Sequence, residues 1–132
     1  MIRLIYASHA TVPFTDADLD ALLETCRRYN VAHGVTGMLL HRDGDFLQVL
    51  EGEADAVRET FARIARDRRH AGVVMLDESS IDEREFASWA MAYRRLTPTE
   101  GPPGFVDYFR QSVEDRDGDA SRMLAVFTEL GR

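Results

Sequence analysis

The sequence has no lysine, one cysteine and four prolines among its 132 residues. Without lysine there is no amine for Schiff-base chemistry and no lysine for a phosphate-binding P-loop. The lone Cys26 excludes an internal disulfide framework and favours a reducing, cytoplasmic setting. No apolar run reaches transmembrane length, and the chain enters a strand pattern at Ile2 without a signal peptide. We therefore expect no membrane partner.

Positive charge is also scarce. The formal net charge is −7, which argues against a nucleic-acid partner. Hydrophobic residues make up 45% and charged residues 30%, the balance of a globular domain. The histidines at 9, 33, 41 and 70 lack metal-ligand spacing, so no metal site is expected.

The apolar periodicity predicts the order β-α-β-β-α-β-β. Thr15 begins the first helix, with Asp18 completing a near capping box, and the Asp43-Gly44 turn joins the second and third strands in a hairpin. This order predicts an α+β, ferredoxin-like layout with both helices on one face of an antiparallel-rich sheet. The expected strands are residues 2–8, 35–41, 46–52, 73–76 and 88–93, and the expected helices are 15–30 and 56–67. His33-Gly34 is a plausible stop for the first helix.

The last part of the chain differs in composition. Residues 97–104 are rich in proline and glycine, which is typical of a linker. Residues 105–112 and 121–130 then predict two short helices with few apolar side chains. We expect a domain at 1–95 and an extension at 96–132, which covers the open face of the sheet and passes a signal onward. The extension is too short for an effector enzyme.

The third strand poses the question on which the function depends. Both of its faces are apolar except for Gln48, and a buried amide without partners costs about 1–3 kcal/mol. The amide is either satisfied inside the core or faces a bound polar ligand. Several other polar or aromatic residues lie in apolar elements, and each of them alone can have a purely structural role. Together they could line one cleft that binds a planar aromatic ligand. The basic end of the second helix could bind a phosphate group of that ligand. These residues are Tyr6, Asn30, Trp89 and Met91, with Arg63, Arg69 and His70 at the basic end.

Five segments, in this order, resemble the BLUF family of flavin-binding blue-light sensors. The resemblance covers roughly residues 1–95. The segments are 4–8 (LIYAS), 30–39 (NVAHGVTGML), 46–52 (FLQVLEG), 67–70 (DRRH) and 86–91 (FASWAM).

The resemblance implies a flavin, usually FAD with FMN as an option, held between the two helices. Tyr6 and Gln48 match the family's photoactive pair, and Trp89 and Met91 match the strand-five residues near that glutamine. Asn30 matches the residue at the pyrimidine edge, and two departures from the family pattern, Tyr29 and Cys26, bear on recovery kinetics. The full set implied at the flavin is Tyr6, Leu22, Cys26, Asn30, Phe46, Gln48, Arg63, Ile64, Asp67, Arg69 and His70.

The implied function is a light-driven hydrogen-bond rearrangement among Tyr6, Gln48 and the flavin. Its signal would go to a downstream protein or to a homo-oligomer, a dimer or larger, and no substrate is consumed, so no enzyme is expected. Two alternatives remain. A small acyl-phosphate hydrolase of the same layout needs glycines and an arginine that residues 8–13 lack. A ligand-binding or dimerisation module without photochemistry explains the fold but gives Tyr6 and Gln48 no shared purpose.

Overall fold

A computed structural model of the chain describes residues 1–11, 15–42, 44–86 and 92–95. The two C-terminal helices that the sequence predicts, and Trp89 and Met91, lie outside these residues. The described elements follow the predicted β-α-β-β-α-β-β order. They are β1 Ile2–Ala10, α1 Asp16–His33, β2 Thr36–Arg42, β3 Asp45–Gly52, α2 Ala54–Ala65, β4 His70–Ser80 and β5 Ala92–Arg95.

The strands form one sheet in the order β4-β1-β3-β2-β5. β1 pairs antiparallel with both β3 and β4, and β3 pairs antiparallel with β2. β5 adds to the edge of the sheet by pairing parallel with β2. The first four strands have the ferredoxin-like arrangement, so the predicted α+β fold is confirmed.

The two faces of the sheet are both buried. Strand alternation places Leu4, Leu39 and Leu50 on the face that packs against Leu23 of α1 and Val57 of α2. The opposite face carries Ile5, Ala7, Met38, Leu40, Leu47 and Val49, each at most 1% exposed. Strands with two buried faces read as continuous apolar runs, which is the pattern seen in β3.

The ends of α1 are fixed by local chemistry. The Thr15 hydroxyl accepts from the amide of Asp18, and the Asp18 carboxylate accepts from the amide of Thr15, which completes a capping box. The helix ends at Gly34, whose φ of 68° is left-handed and whose amide donates to the Asn30 carbonyl. The helix runs past Tyr29 and Asn30, its expected end, and stops at His33-Gly34, which the sequence indicates as a plausible stop; Asn30 belongs to its last turn.

The bounds of α2 and β4 also differ from the prediction. α2 begins two residues earlier than expected, because Glu53 precedes it without a side-chain capping bond and leaves no signal in the sequence. β4 is much longer than residues 73–76. It pairs with β1 along its length at the edge of the sheet, where polar residues are tolerated and hide the strand pattern.

Candidate functional site

A cavity lies between the helices and the sheet face that they cover. Its space free of protein atoms, with the open mouth included, is about 740 Å³. Strands β1, β2 and β3 form its floor, and α1, α2 and the turn after α2 form its walls. The lining residues are Tyr6, Ser8, Leu22, Leu23, Thr25, Cys26, Leu39, Phe46, Gln48, Arg63, Ile64, Asp67 and Arg69.

Tyr6 and Gln48 are partners on the cavity floor. They lie directly opposite each other in the antiparallel β1–β3 pair, each 3% exposed. The Tyr6 hydroxyl donates a hydrogen bond to the Gln48 side-chain oxygen Oε1. This bond answers the question posed by Gln48, because the tyrosine satisfies its carbonyl end while the side chain still borders the cavity.

Tyr6 also occupies an irregular point of the sheet. The β1–β4 register shifts between Ile5 and Tyr6, as it does at a β-bulge. Bulges re-aim side chains and occur often next to functional sites. The Tyr6 ring packs on Phe61 of α2, with 5.3 Å between ring centroids and an angle of 57° between the planes. Its orientation is therefore set by packing as well as by the bond to Gln48.

Burial keeps the protons on the cavity's two weak acids. It raises the pKa of the Tyr6 phenol well above its ordinary value, and the nearby Cys26 adds to the effect. Burial likewise raises the pKa of the Cys26 thiol, although Arg63 and Arg69 oppose the shift. Both groups are therefore neutral near pH 7, and the phenol can donate a proton.

The helices supply apolar walls on opposite sides. Leu22 and Cys26 extend from α1, and Ile64 extends from α2. A flat aromatic ring fits between such walls because it can bury both of its faces. Leu22 and Ile64 thus have the arrangement expected of residues that sandwich a ring.

Arg63 gives the cavity a positive wall. Its guanidinium carbon lies 3.6 Å from the ring centroid of Tyr29, and the Tyr29 ring stacks on His33 at 3.9 Å. The Nε of Arg63 is buried and has no hydrogen-bond partner among the described residues. A buried donor without a partner is costly, so a cavity wall that contains one fits a ligand with acceptor atoms.

A second arginine, Arg69, lies in the turn after α2. Its guanidinium binds the Asp67 carboxylate through Nε at 3.0 Å and Nη2 at 2.5 Å. The side chain is half-exposed and held by this pair at the cavity. Together with Arg63, it provides a charge suited to an anionic or strongly accepting group.

Nine of the eleven residues implied by the resemblance line this one cavity, and Asn30 does not. Asn30 is buried, 1% exposed, in the last turn of α1 and is absent from the lining. The backbone of His70 begins β4, and its side chain lies outside the described part of the chain, as do Trp89 and Met91.

Four lining residues were missed by sequence reasoning: Ser8, Leu23, Thr25 and Leu39. Strand alternation alone could have found Ser8, because it lies on the same face as Tyr6. Leu39 is opposite Gln48 across the β2–β3 pair. Its place in the site therefore depends on the register, which the sequence does not state.

The described residues offer neither a cluster for a metal ion nor a helix that could span a membrane. Within these ranges, no cluster of three or more His, Cys, Asp or Glu side chains could hold a metal ion. In the same part of the chain, no helix is both long and apolar enough to cross a membrane.

Comparisons with known proteins identify the family of this chain. Residues 1–92 match the model of the family described as BLUF, sensors of blue light using FAD. The "photoactivated adenylate cyclase subunit beta" of Euglena gracilis is 40% identical over 92 residues, or 69% of this chain and 11% of that one. This chain therefore spans only about a ninth of that relative's length.

Matches to solved structures cover a larger share of this chain than the sequence match does. The photo-activated state of BlsA has a TM-score of 0.78 at 30% identity and covers 98% of this chain and 93% of that one. Klebsiella pneumoniae BlrP1 with FMN and cyclic diGMP has a TM-score of 0.69 at 31% identity, covering 96% of this chain and 34% of that one. The family's described cofactor is FAD, and one relative's structure holds FMN. The chain belongs to the BLUF family of blue-light sensors that use FAD.

Proposed function

We propose that Tyr6 and Gln48 are the photoactive pair of this blue-light sensor. The single observation that supports the proposal is the buried hydrogen bond from the Tyr6 hydroxyl to Gln48 Oε1 on the cavity floor. The phenol donates this bond, and the amide can exchange its acceptor oxygen for its donor nitrogen by rotating. No other pair of lining residues joins these two chemistries in the described part of the chain.

The proposed chemistry changes hydrogen bonds and leaves no product. A bound flavin supplies a strong oxidant when it absorbs blue light. Tyr6 would give up an electron to that oxidant and its hydroxyl proton to Gln48 and would regain both, so its composition is unchanged at the end. Gln48 relays the proton and finishes with its amide rotated or tautomerised. After rotation, Nε2 faces the Tyr6 oxygen, and the hydroxyl must accept the bond that it formerly donated.

Residues of the helices and of the turn after α2 hold the flavin in this proposal. Leu22 and Ile64 take the two faces of the ring, beside Cys26 and Phe46. The unpartnered Nε of Arg63 supports a bond from this residue to a ring or chain oxygen. Asp67 and Arg69 hold the ribityl chain or phosphates, and Asn30 and His70 keep the roles that the resemblance implies. Trp89 and Met91 complete the photoactive set.

The light signal must pass from the cavity to other parts of the chain or to a partner. We assign residues 1–95 to the sensor and 96–132 to an extension that packs on the sheet's second face. The buried apolar side chains on that face, such as Leu40 and Leu47, support this assignment. The chain itself is not an enzyme; it works in the cytoplasm and signals to a downstream protein or through a dimer or larger oligomer. A truncation after Thr97 that leaves light-dependent partner binding unaltered would refute a role for the extension.

The test is the absorption spectrum of the purified protein in the dark and under blue light. The proposal predicts an oxidised-flavin spectrum that shifts slightly to the red and recovers in darkness. Gln48→Leu should bind flavin and lose the shift, because leucine has no amide to reverse. Bleaching of the flavin instead of a shift would indicate photoreduction, and a normal photocycle in Gln48→Leu would exclude the relay.

A further inference from the structure

Glu51 is a fully buried carboxylate that the cavity does not use. It is 0% exposed and follows Gln48 on β3. Strand alternation places Gln48 on the helix-covered face and Glu51 on the opposite face. A buried charge is costly unless it is paired and hydrogen-bonded, so this carboxylate must have a structural reason.

Both oxygens of Glu51 are engaged. The Arg3 guanidinium donates to Oε2 through Nε at 3.0 Å and lies 2.9 Å from it through Nη2. The backbone amide of Phe86 donates to Oε1 at 2.7 Å, and that of Glu85 donates to Oε2 at 3.1 Å. Only a group that accepts at both oxygens can receive all of these donors.

These amides belong to the irregular segment 84–86, which follows β4 and leads toward β5. Arg84 adds two bonds from the same segment, to the Thr36 hydroxyl at 3.1 Å and to the Glu51 carbonyl at 3.4 Å. The segment is therefore attached to the start of β2 and the end of β3. The Glu51 side chain is its shortest described link to the strand that carries Gln48.

We propose that Glu51 is a positioning residue that couples Gln48 to the β4–β5 connection. A displacement of β3 when the Gln48 amide reverses is carried by the Glu51 carboxylate to the amides of Glu85 and Phe86. Charge-assisted bonds to a buried carboxylate are short and strong, so the segment moves with the strand. This inference rests on the proposed light reaction at Gln48. It adds the route by which the structural change at Gln48 reaches residues outside the cavity.

The experiment compares backbone amide hydrogen exchange at Glu85 and Phe86 in the dark and under blue light, with the full-length, flavin-bound chain. The coupling predicts that illumination changes exchange at these amides by at least about threefold in the unmodified protein. Glu51→Gln should abolish this light–dark difference while keeping the red shift of the flavin. Its amide nitrogen cannot accept from the donors that now surround the carboxylate. Glu24→Gln is the matched control, because Glu24 is exposed and pairs with Arg28 one turn along the same helix.

The absorption spectrum of the same samples separates the two claims. No red shift in the unmodified protein would overturn the photoreaction itself. A red shift with unchanged exchange at Glu85 and Phe86 would overturn only the coupling. So would a light–dark difference that survives in Glu51→Gln. Unchanged exchange in the unmodified protein would overturn the coupling whether or not Glu51→Gln folds.

Discussion

Tyr6 of β1 lies directly opposite Gln48 of β3, and its hydroxyl donates to the glutamine's Oε1 on the cavity floor. The pairing comes from the β1–β3 register, so the sheet itself holds the two side chains at bonding distance. A one-residue slip of either strand would turn that strand's side chain to the other face and separate the pair. Backbone hydrogen bonds of the sheet thus set the geometry of the site.

Tyr6→Phe tests the hydroxyl of this pair. The variant keeps the ring that packs on Phe61, so we expect the flavin to remain bound and the light-induced red shift to disappear. Absorption spectra before and after blue light measure both outcomes. Tyr29→Phe is the matched control, because it removes a hydroxyl but retains the ring under Arg63 and should leave the red shift in place.

The buried phenol predicts an alkaline limit to stability. The pKa of Tyr6 is raised in the folded state, whereas an unfolded tyrosine ionises near pH ~10. This stabilisation is therefore complete below pH ~10, and above it the free energy of unfolding falls by about 1.4 kcal/mol per pH unit. Urea unfolding from pH 8 to 11 measures the slope. Tyr6→Phe should make it shallower, and equal slopes in the two proteins would contradict the assignment.

The thiol of Cys26 should react slowly. Burial raises its pKa, and only the thiolate is nucleophilic, so little reactive form exists near pH 7. Because Cys26 is the sole cysteine, iodoacetamide labelling reports on this site alone. We expect alkylation at least about tenfold slower than in urea-unfolded protein. A rate that matches the unfolded chain would place the thiol outside the cavity wall.

The stack of Arg63 on Tyr29 should contribute to flavin retention. A cation–π contact of this kind is worth about 0.5–2 kcal/mol, so Tyr29→Leu should raise the flavin Kd by about 2- to 30-fold. Tyr29→Phe should bind as the unmodified protein does, since the ring remains. Flavin release on dilution, followed by fluorescence, measures Kd. Identical values for the leucine and phenylalanine variants would remove Tyr29 from the site.

Much of the fold was predictable because its signals are local. Alternation identifies the faces of β1 and β3, and Thr15 with Asp18 marks the start of α1. β4 was predicted too short, since polar residues at a sheet edge mask the alternation that a half-buried strand shows. The beginning of α2 was missed because Glu53 makes no capping bond with its side chain.

The site was less accessible to sequence reasoning, because its contacts join distant parts of the chain. Gln48 signalled a missing partner, but that partner's identity depends on the register of two strands that do not follow each other in the chain. The expectation of a bound flavin came from the resemblance to the BLUF family and not from the apolar periodicity of the sequence. The pairing of Arg3 with Glu51 has no signature in the sequence, since the two residues meet only through the order of strands in the sheet.

The most direct test of the central claim is an NMR measurement on the Gln48 amide. The chain contains two glutamines, Gln48 and Gln111, so ¹⁵N labelling of glutamine side chains gives two signals. A Gln111→Ala variant assigns them. The account predicts that the Gln48 signal shifts under blue light and returns in darkness together with the flavin spectrum. A red-shifting flavin with an unmoved Gln48 signal would contradict it.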